Sequence, residues 1–297
     1  MLMAALLGLL SGAALSRSNL CLMRAAHEVS RGHFATFQGV LAASAVAAVV
    51  FFLSGQAGWH DRAPWAWPTG LTIAGAVLFA VGVRLSAACS IGIVGRLSSG
   101  DLGALATILG MVVALLLLPR PPLADEPPVW AGRLQAPMAV AMAIVAGLIA
   151  LVALRRKDMG RVAAAIFLGA VAALLYSFHV QVTWSELAAD AVNGAGVGAI
   201  AAAGIASALL GAFGARYLTG GIQWRLPKPA QFAREFVGGL MMGAGSVLIP
   251  GGTDALAFYG LPSGSPHALV AFIVLFATVV VSFRLFPVDS PALSKTA

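Results

Sequence analysis

Long apolar segments alternate with short polar or basic stretches along almost the whole chain. A helix needs roughly 20 apolar residues to cross a bilayer, and about nine segments approach that length. The candidate spans are residues 2–20, 35–54, 69–98, 101–119, 137–154, 160–180, 192–215, 235–262 and 266–286. The pattern therefore predicts an all-α polytopic membrane protein.

The third candidate span is interrupted near its middle. Arg84, Cys89 and Ser90 lie where a lipid-facing helix would carry leucine or valine. Irregular backbone at membrane depth is tolerated only where it is buried in protein or lines a cavity. We therefore predict a broken helix, whose two half-helices meet near the bilayer midplane and bring the thiol of Cys89 there.

The eighth candidate span is interrupted in a similar way, by Pro250-Gly251-Gly252-Thr253-Asp254. Glycines followed by Thr or Asp are typical of a helix that restarts, because the side-chain oxygens can cap free N–H groups. Residues 73–105 align with residues 237–269 without a gap, so that Cys89 falls on Thr253. Interrupted segments at matching places in two halves are typical of the binding site of a transporter.

The same count of spans predicts the domain organisation. Four predicted spans precede a single connecting span, residues 137–154, and four follow it. Because the connecting span carries the chain across the membrane once, the second half would enter from the opposite face. We predict one integral membrane domain that contains two inverted repeats. Its parts are a first half at residues 1–119, an external linker with the connecting span at 120–159, and a second half at 160–297.

Composition supports a membrane protein, and the distribution of charge predicts its orientation in the membrane. The 297 residues are 60% hydrophobic and only 10% charged, whereas a soluble domain has about 25% charged residues. A net charge of +7 would suggest a nucleic-acid partner in a soluble protein, but here the basic residues lie between spans and indicate topology. The densest basic loop, residues 155–161, should be cytoplasmic. The chain would then lie in the inner (plasma) membrane, with its N-terminus outside the cell and its C-terminus in the cytoplasm. We expect it to contact lipid and not to bind nucleic acid.

The polar residues of the first half each have two interpretations. Cys89 and Ser90 would begin a half-helix, whose free N–H groups and dipole attract anions. A buried cysteine can equally be plain packing. Asn19 and Cys21 end the first span, either at the mouth of a pathway or at an ordinary interfacial helix end.

The charged residues at the breaks also leave alternatives. Arg84 would attract an anion or neutralise Asp254, because charges within a membrane are usually paired. Thr253 and Asp254 would contact the cargo or cap the restarting helix. No spacing of His, Cys, Asp and Glu is typical of a metal site, and no catalytic or nucleotide-binding motif occurs. We therefore expect no metal, no cofactor and no enzymatic activity.

Three stretches resemble the YeeE/YedE family of membrane proteins, which take up sulfur compounds, thiosulfate in the best understood members. They are GLLSGAALSRSNLCLMRA around Cys21, GVRLSAACSIGIVGRLSSGDL around Cys89, and FVGGLMMGAGSVLIPGG in the second half. The resemblance implies an hourglass-shaped protein with inverted halves, in which cysteines near the constriction pass the substrate along through S–H hydrogen bonds without a redox cofactor. Cys21 and Cys89 match two of the functional cysteines of the family.

The chain departs from that family at one position. The thiosulfate-transporting members carry a third cysteine in the second half, where this chain has Thr253 followed by Asp254. A threonine hydroxyl is a stronger donor than a thiol but offers no soft sulfur contact, and Asp254 adds negative charge. Thiosulfate, a related sulfur oxyanion, a sulfide-like species and another small anion therefore stay open as substrates.

Three functions follow from these features. The leading hypothesis is a permease that imports a small sulfur-containing anion along a central path lined by cysteine thiols. The alternative is a membrane-bound carrier, in which Cys89 accepts sulfur as a persulfide and hands it to a cytoplasmic sulfurtransferase or sulfur-carrier protein. A third hypothesis is a membrane subunit without transport of its own, but the polar residues at both breaks argue against it because they are costly in a membrane.

Overall fold

Helices make up nearly all of the described part of the chain in this computed structural model, and no strand occurs among those residues. The structure describes residues 1–18, 20–59, 66–118, 137–138, 140–149, 152, 159–178, 199–249 and 251–286. Its helices are α1 (Leu2–Ser18), α2 (Leu22–Ser30), α3 (Ala35–Gln56), α4 (Gly70–Ser86), α5 (Ser90–Ser98), α6 (Gly103–Leu117), α7 (Val140–Ile149), α8 (Met159–Ser177), α9 (Ala199–Leu218), α10 (Pro229–Leu248), α11 (Thr253–Ala255, continued by a π-helical turn at Leu256–Gly260) and α12 (Pro266–Leu285).

Several of these helices are long and apolar enough to cross a membrane. Four stretches qualify by themselves, namely Leu2–Ser30, Ala35–Gln56, Gly70–Ser98 and Pro266–Leu285. A fifth is the pair Pro229–Leu248 and Thr253–Gly260, which is bent by 45° at its break. Four shorter apolar helices accompany them within the described residues. The chain is therefore a multi-pass membrane protein. The predicted linker before residue 137 and most of the predicted cytoplasmic loop lie outside the described residues.

Both predicted breaks occur where the sequence places them. α4 ends at Ser86 and α5 begins at Ser90, with Ala87 between them in the left-handed region at φ 57°. α10 ends at Leu248 and α11 begins at Thr253. The N-cap residue of α11 is Gly252, so the prediction that Thr253 or Asp254 is the N-cap residue is wrong.

A third break was not predicted from the sequence. The apolar run at the N-terminus ends as α1 at Ser18, and α2 follows at Leu22 with Cys21 as its N-cap residue. Cys21 has extended backbone, with φ −150° and ψ 126°. Cys21 therefore begins a half-helix instead of merely ending the first span.

The helices pack in two groups that share the short half-helices. In one group α10 lies against both α4 and α6, and α4 also contacts α12. In the other group α1 lies against α8 and α9, and α3 lies against α8. α5 and α11 contact each other and reach helices of both groups. The largest apolar cluster includes Cys89 and Leu256 of these half-helices, so the breaks lie inside the core.

Glycines bring the helices of each group into close contact, as expected for helices that pack in a membrane. A Cβ atom on Gly245 of α10 would lie 2.7 Å from Cβ of Phe79 and 2.8 Å from the carbonyl oxygen of Gly75, both on α4. Gly214 of α9, by contrast, has open space where its Cβ would be. The contact between α4 and α10 therefore depends on the absence of side chains.

A partly buried ion cluster ties the end of α5 to the start of α6 and to α10. The guanidinium of Arg96 donates to Asp101 Oδ2 at 2.7 and 2.9 Å and to Glu235 Oε1 at 2.8 Å. Its Nη1 donates to the carbonyl oxygen of Ser86 at 2.6 Å, a group that the end of α4 leaves free. Leu102 N donates to the carbonyl oxygen of Arg225 at 3.0 Å. Arg96 therefore supports the first break through the carbonyl group at its edge.

A neutral set of bonds ties the start of α12 to the chain before α4. His267 Nδ1 and Ser265 Oγ are 2.6 Å apart. His267 N donates to the carbonyl oxygen of Ala66 at 3.3 Å, and Ala66 N donates to Ser265 Oγ at 3.5 Å. No ion pair contributes to this contact among the described residues.

We expect Gly245→Ala to lower the apparent melting temperature of the detergent-solubilised protein. The added methyl group would overlap with the backbone of α4, and overpacking typically costs about 1–3 kcal/mol. Gly214→Ala is the matched control, also within a helix, and should melt at or slightly above the wild-type temperature because Ala favours helices. Equal melting temperatures for the two variants would contradict close packing of α4 on α10.

Candidate functional site

Two thiols lie in contact where the starts of α2 and α5 meet. Cys21 Sγ and Cys89 Sγ are 3.6 Å apart, and neither belongs to a disulfide. Cys89 is fully buried, whereas Cys21 is only half-buried. Each residue is the N-cap of its half-helix. The two thiols are therefore held at helix starts, where the backbone cannot form the usual helical hydrogen bonds.

The sulfur of Cys89 accepts hydrogen bonds from both half-helices. Leu22 N of α2 donates to Cys89 Sγ at 3.2 Å, and Gly92 N of α5 donates to it at 3.4 Å. These bonds satisfy two N–H groups that a helix start leaves free, and they fix the orientation of the Cys89 side chain. With its lone pairs occupied in this way, the thiol can use its S–H as a donor, toward Cys21 or toward a ligand.

Gly92 makes room for the Cys21 thiol. A Cβ atom at this position would lie 2.6 Å from Cys21 Sγ, whereas a Cβ atom at Gly95, one turn later, would meet nothing within 4 Å. Any side chain at position 92 would therefore displace the thiol of Cys21. The contact between the two sulfurs depends on this glycine.

A hydroxyl–carboxylate cluster links the starts of α5 and α11. Ser90 Oγ donates to Asp254 Oδ1 at 2.7 Å, and Ser90 Oγ and Thr253 Oγ1 are 2.6 Å apart. Asp254 N also donates to Ser90 Oγ, at 3.3 Å. Ser90 and Thr253 are buried, and Gly252 lies against Ser90, with no space for a side chain between them. Ser90 therefore connects the cluster to Cys89, its neighbour in the chain.

A small cavity of about 90 Å³ adjoins this cluster. A water molecule occupies about 30 Å³ of liquid, so the cavity has room for a few waters or one small ion. Its walls come from α1, α5, α8, α9 and α11, and they are mainly apolar. The polar groups in its lining are those of Ser11, Ser90, Tyr176 and Asp254. The two thiols are not among the lining residues.

The structure thus brings together most of the residues that the sequence singled out. Cys21, Cys89, Ser90, Thr253 and Asp254 form one connected group. Gly251, with φ 121°, and Gly252 form the second break beside this group. Asn19 lies outside the described residues.

Arg84 does not belong to this group. Its Nη2 donates to the carbonyl oxygen of Phe286 at 2.9 Å, and its guanidinium lies 4.3 Å from the centre of the Phe283 ring. The predicted pairing of Arg84 with Asp254 is therefore wrong. Arg84 is in the last turn of α4 and contacts the end of α12, whereas the carboxylate of Asp254 is held by Ser90.

Sequence reasoning missed two parts of the site. It did not place Gly92 against the Cys21 thiol, and it did not assign Tyr176 and Ser11 to the cavity next to Asp254. The polar run at residues 16–21 was the available signal for the third break, because it interrupts an otherwise apolar segment. No group of metal-ligating side chains occurs in the part of the chain that the structure describes.

Comparison with protein families finds a match that covers most of the chain. A family model described as sulphur transport matches the chain twice, at residues 17–125 and at residues 124–281. The first match contains both cysteines, and the second contains Thr253 and Asp254. No curated protein matches the chain.

We expect the two thiols of the folded protein to react in a fixed order. A small methanethiosulfonate reagent should modify Cys21 several-fold faster than Cys89, because only Cys21 is partly exposed. Peptide mass mapping after short exposures measures both rates in the wild-type protein. The denatured protein serves as the control and should react equally at both positions. Faster modification of Cys89 in the folded protein would contradict the geometry described here.

Proposed function

Because the chain belongs to the sulphur transport (YeeE/YedE) family, we propose that it is a permease that imports a small sulfur-containing anion. The observation that carries the proposal is the contact between Cys21 and Cys89 at two helix starts inside the core. Thiols are soft, polarisable donors that suit a sulfur-containing ligand. The positive end of the dipole at a helix start favours an anion.

We infer that the permease consists of two inverted halves with nine spans. The family model matches once in each half. The packing supports the same relation, because the contact of α10 with α6 has a counterpart in that of α4 with α12, and the contact of α1 with α9 in that of α8 with α3. Ser90 and Asp254 occupy equivalent positions in the internal alignment and hydrogen-bond to each other, as expected beside an in-plane two-fold axis.

In this proposal the cargo passes the two thiols by exchanging hydrogen bonds. The S–H groups of Cys21 and Cys89 would donate to the anion in turn, and the hydroxyls of Ser90 and Thr253 would take over at the other half-helix. No covalent bond forms or breaks, so the path needs no redox cofactor. We further propose an inner-membrane location, with the N-terminus outside and the basic loops and C-terminus in the cytoplasm. A cytoplasmic sulfurtransferase would then receive the imported sulfur compound.

Asp254 sets an electrostatic condition on this path. Two unit charges 4 Å apart interact by about 4 kcal/mol at an effective dielectric constant of 20. An ionised Asp254 would therefore repel a dianion by roughly twice that amount at the same distance. The hydrogen bond from Ser90 leaves the net charge of the ionised carboxylate unchanged.

We expect Cys89→Ala to reduce thiosulfate uptake by roughly 10- to 100-fold. A hydrogen bond to a charged group contributes about 1.5–3 kcal/mol, and each 1.4 kcal/mol corresponds to a factor of ten. Uptake of radiolabelled thiosulfate is measured in cells that lack other sulfur importers, at equal amounts of variant and wild type in the membrane. Unchanged uptake and growth on thiosulfate would remove this thiol from the mechanism.

A pair of glycine variants tests whether the Cys21 thiol must occupy its observed position. Gly92→Ala should lower uptake strongly, because the added methyl group takes the space of Cys21 Sγ. Gly95→Ala, in the same helix, should transport at the wild-type rate because that position has open space. Both variants are compared in the same uptake assay. Equal rates for the two would show that the position of the Cys21 thiol does not matter.

The alternative function, a persulfide carrier, also depends on the Cys89 thiol. In that case thiosulfate would transfer its outer sulfur to the Cys89 thiolate and leave as sulfite, and the persulfide sulfur would pass to a soluble partner. The full burial of Cys89 argues against this function, because a partner must reach the sulfur. Mass spectrometry of the Cys89 peptide after exposure to thiosulfate separates the two, since only the carrier would gain one sulfur atom.

A further inference from the structure

The carboxylate of Asp254 lies where a negative charge would oppose the proposed cargo. Asp254 lines the small cavity together with Ser90, and the Ser90 hydroxyl links it to the chain position next to Cys89. A fixed negative charge at this place would repel every anion that passes. If the chain is the proposed permease, the negative charge of Asp254 must be neutralised while the anion passes.

The surroundings of Asp254 offer no compensating positive charge within the described residues. Asp254 forms no ion pair there. The nearest basic residue of α5 in the chain, Arg96, is engaged by Asp101 and Glu235. Arg84 is engaged by the end of α12. No basic side chain among these residues therefore neutralises Asp254.

The titratable groups that face Asp254 are few. From α8, Tyr176 lines the same cavity, and from α5 the Cys89 thiol precedes Ser90 in the chain. α1 and α9 contribute only uncharged side chains to the cavity lining, as does the π-helical turn with Phe258. Of the helices that pack against this turn, α3 carries no charged side chain, and His267 of α12 bonds to Ser265 and Ala66. Asp254 is thus the only carboxylate in the lining of the cavity.

The carboxylate of Asp254 is held by Ser90 and borders the cavity. Oδ1 accepts the hydrogen bond from Ser90 Oγ. Asp254 is half-buried and borders a cavity large enough for a few waters. A proton could therefore reach the carboxylate from the cavity. The protonated group would then be a hydrogen-bond donor toward the cavity.

We propose that Asp254 is the proton-binding residue of this permease and couples import of the anion to import of a proton. The carboxylate takes one proton from the outside, which removes the negative charge from the path and lets the anion bind nearby. Proton and anion are then both released to the cytoplasm, and Asp254 returns to its ionised form. Each cycle moves one proton on this residue, and no electron or covalent bond changes. Thr253, the preceding residue in the chain, supplies a neutral hydroxyl to the same cluster.

The test uses the full-length protein in liposomes and radiolabelled thiosulfate as the probe. Two quantities are measured for each variant, the accumulation driven by an acid exterior and the tracer exchange at equal pH on both sides. Wild-type protein should accumulate the probe several-fold more with the gradient, and a protonophore should abolish the gain. For Asp254→Asn the ratio of accumulation with the gradient to accumulation without it should fall to one, even if the exchange rate is reduced. Its tracer exchange should no longer vary with pH.

Two further variants serve as controls. Asp254→Glu keeps a titratable group and should keep a response to the gradient. Glu28→Gln removes a carboxylate that is bound by Arg24 and Thr36, away from the cluster, and should respond as the wild type does. A gradient response in Asp254→Asn equal to that of the wild type would overturn the proposal.

The wild-type protein alone decides the matter if Asp254→Asn proves inactive. If wild-type accumulation does not depend on the pH gradient and wild-type exchange does not depend on pH, proton coupling is overturned. The permease function would remain intact in that case. Absence of any exchange of thiosulfate or sulfite by the wild type would instead contradict the proposed function itself.

Discussion

The structure depends on one constraint, which is that broken backbone inside a membrane must find its hydrogen-bond partners within the protein. The breaks of this chain meet that demand largely through one another. The helix starting at Leu22 and the helix starting at Ser90 both place a free N–H on the sulfur of Cys89. The carbonyl left free at Ser86 is taken by Arg96. The start at Thr253 is joined to Ser90 by hydroxyl and carboxylate groups. The chemistry of the site and the stability of its backbone are therefore carried by the same few atoms.

The sequence indicated the two glycine-rich breaks because polar residues and glycines interrupt long apolar segments there. It also singled out Cys89, since a helix that restarts after Cys89 follows from the Ser-Ile-Gly run behind it. The contact between Cys21 and Cys89 was not predictable in this way. It depends on where α2 packs relative to α5, and on a glycine one helical turn into α5 that leaves space for a thiol from another helix.

The error at Arg84 has an equally physical origin. An arginine in an apolar segment suggests a buried counter-ion, and Asp254 was the obvious carboxylate at a comparable depth. The structure instead gives Arg84 a carbonyl group and an aromatic ring at the end of α12, which need no opposite charge. Asp254 is left with Ser90, its equivalent in the internal alignment. Spacing along the chain could rank the charged residues by depth, but it could not tell which of them face each other.

The contacts at the two ends of α4 differ in chemistry. One is the guanidinium of Arg96 shared by two carboxylates, of which Glu235 is buried, and removal of one partner from a buried ion pair costs about 3–5 kcal/mol. The other is a serine–histidine contact with backbone bonds, each worth about 1 kcal/mol. Separation of the charged contact would leave the buried carboxylate of Glu235 without a counter-ion, whereas the neutral contact can open without that penalty. The two ends of α4 thus differ in stiffness, and a hinge motion would pivot about Arg96 while the side of His267 moves.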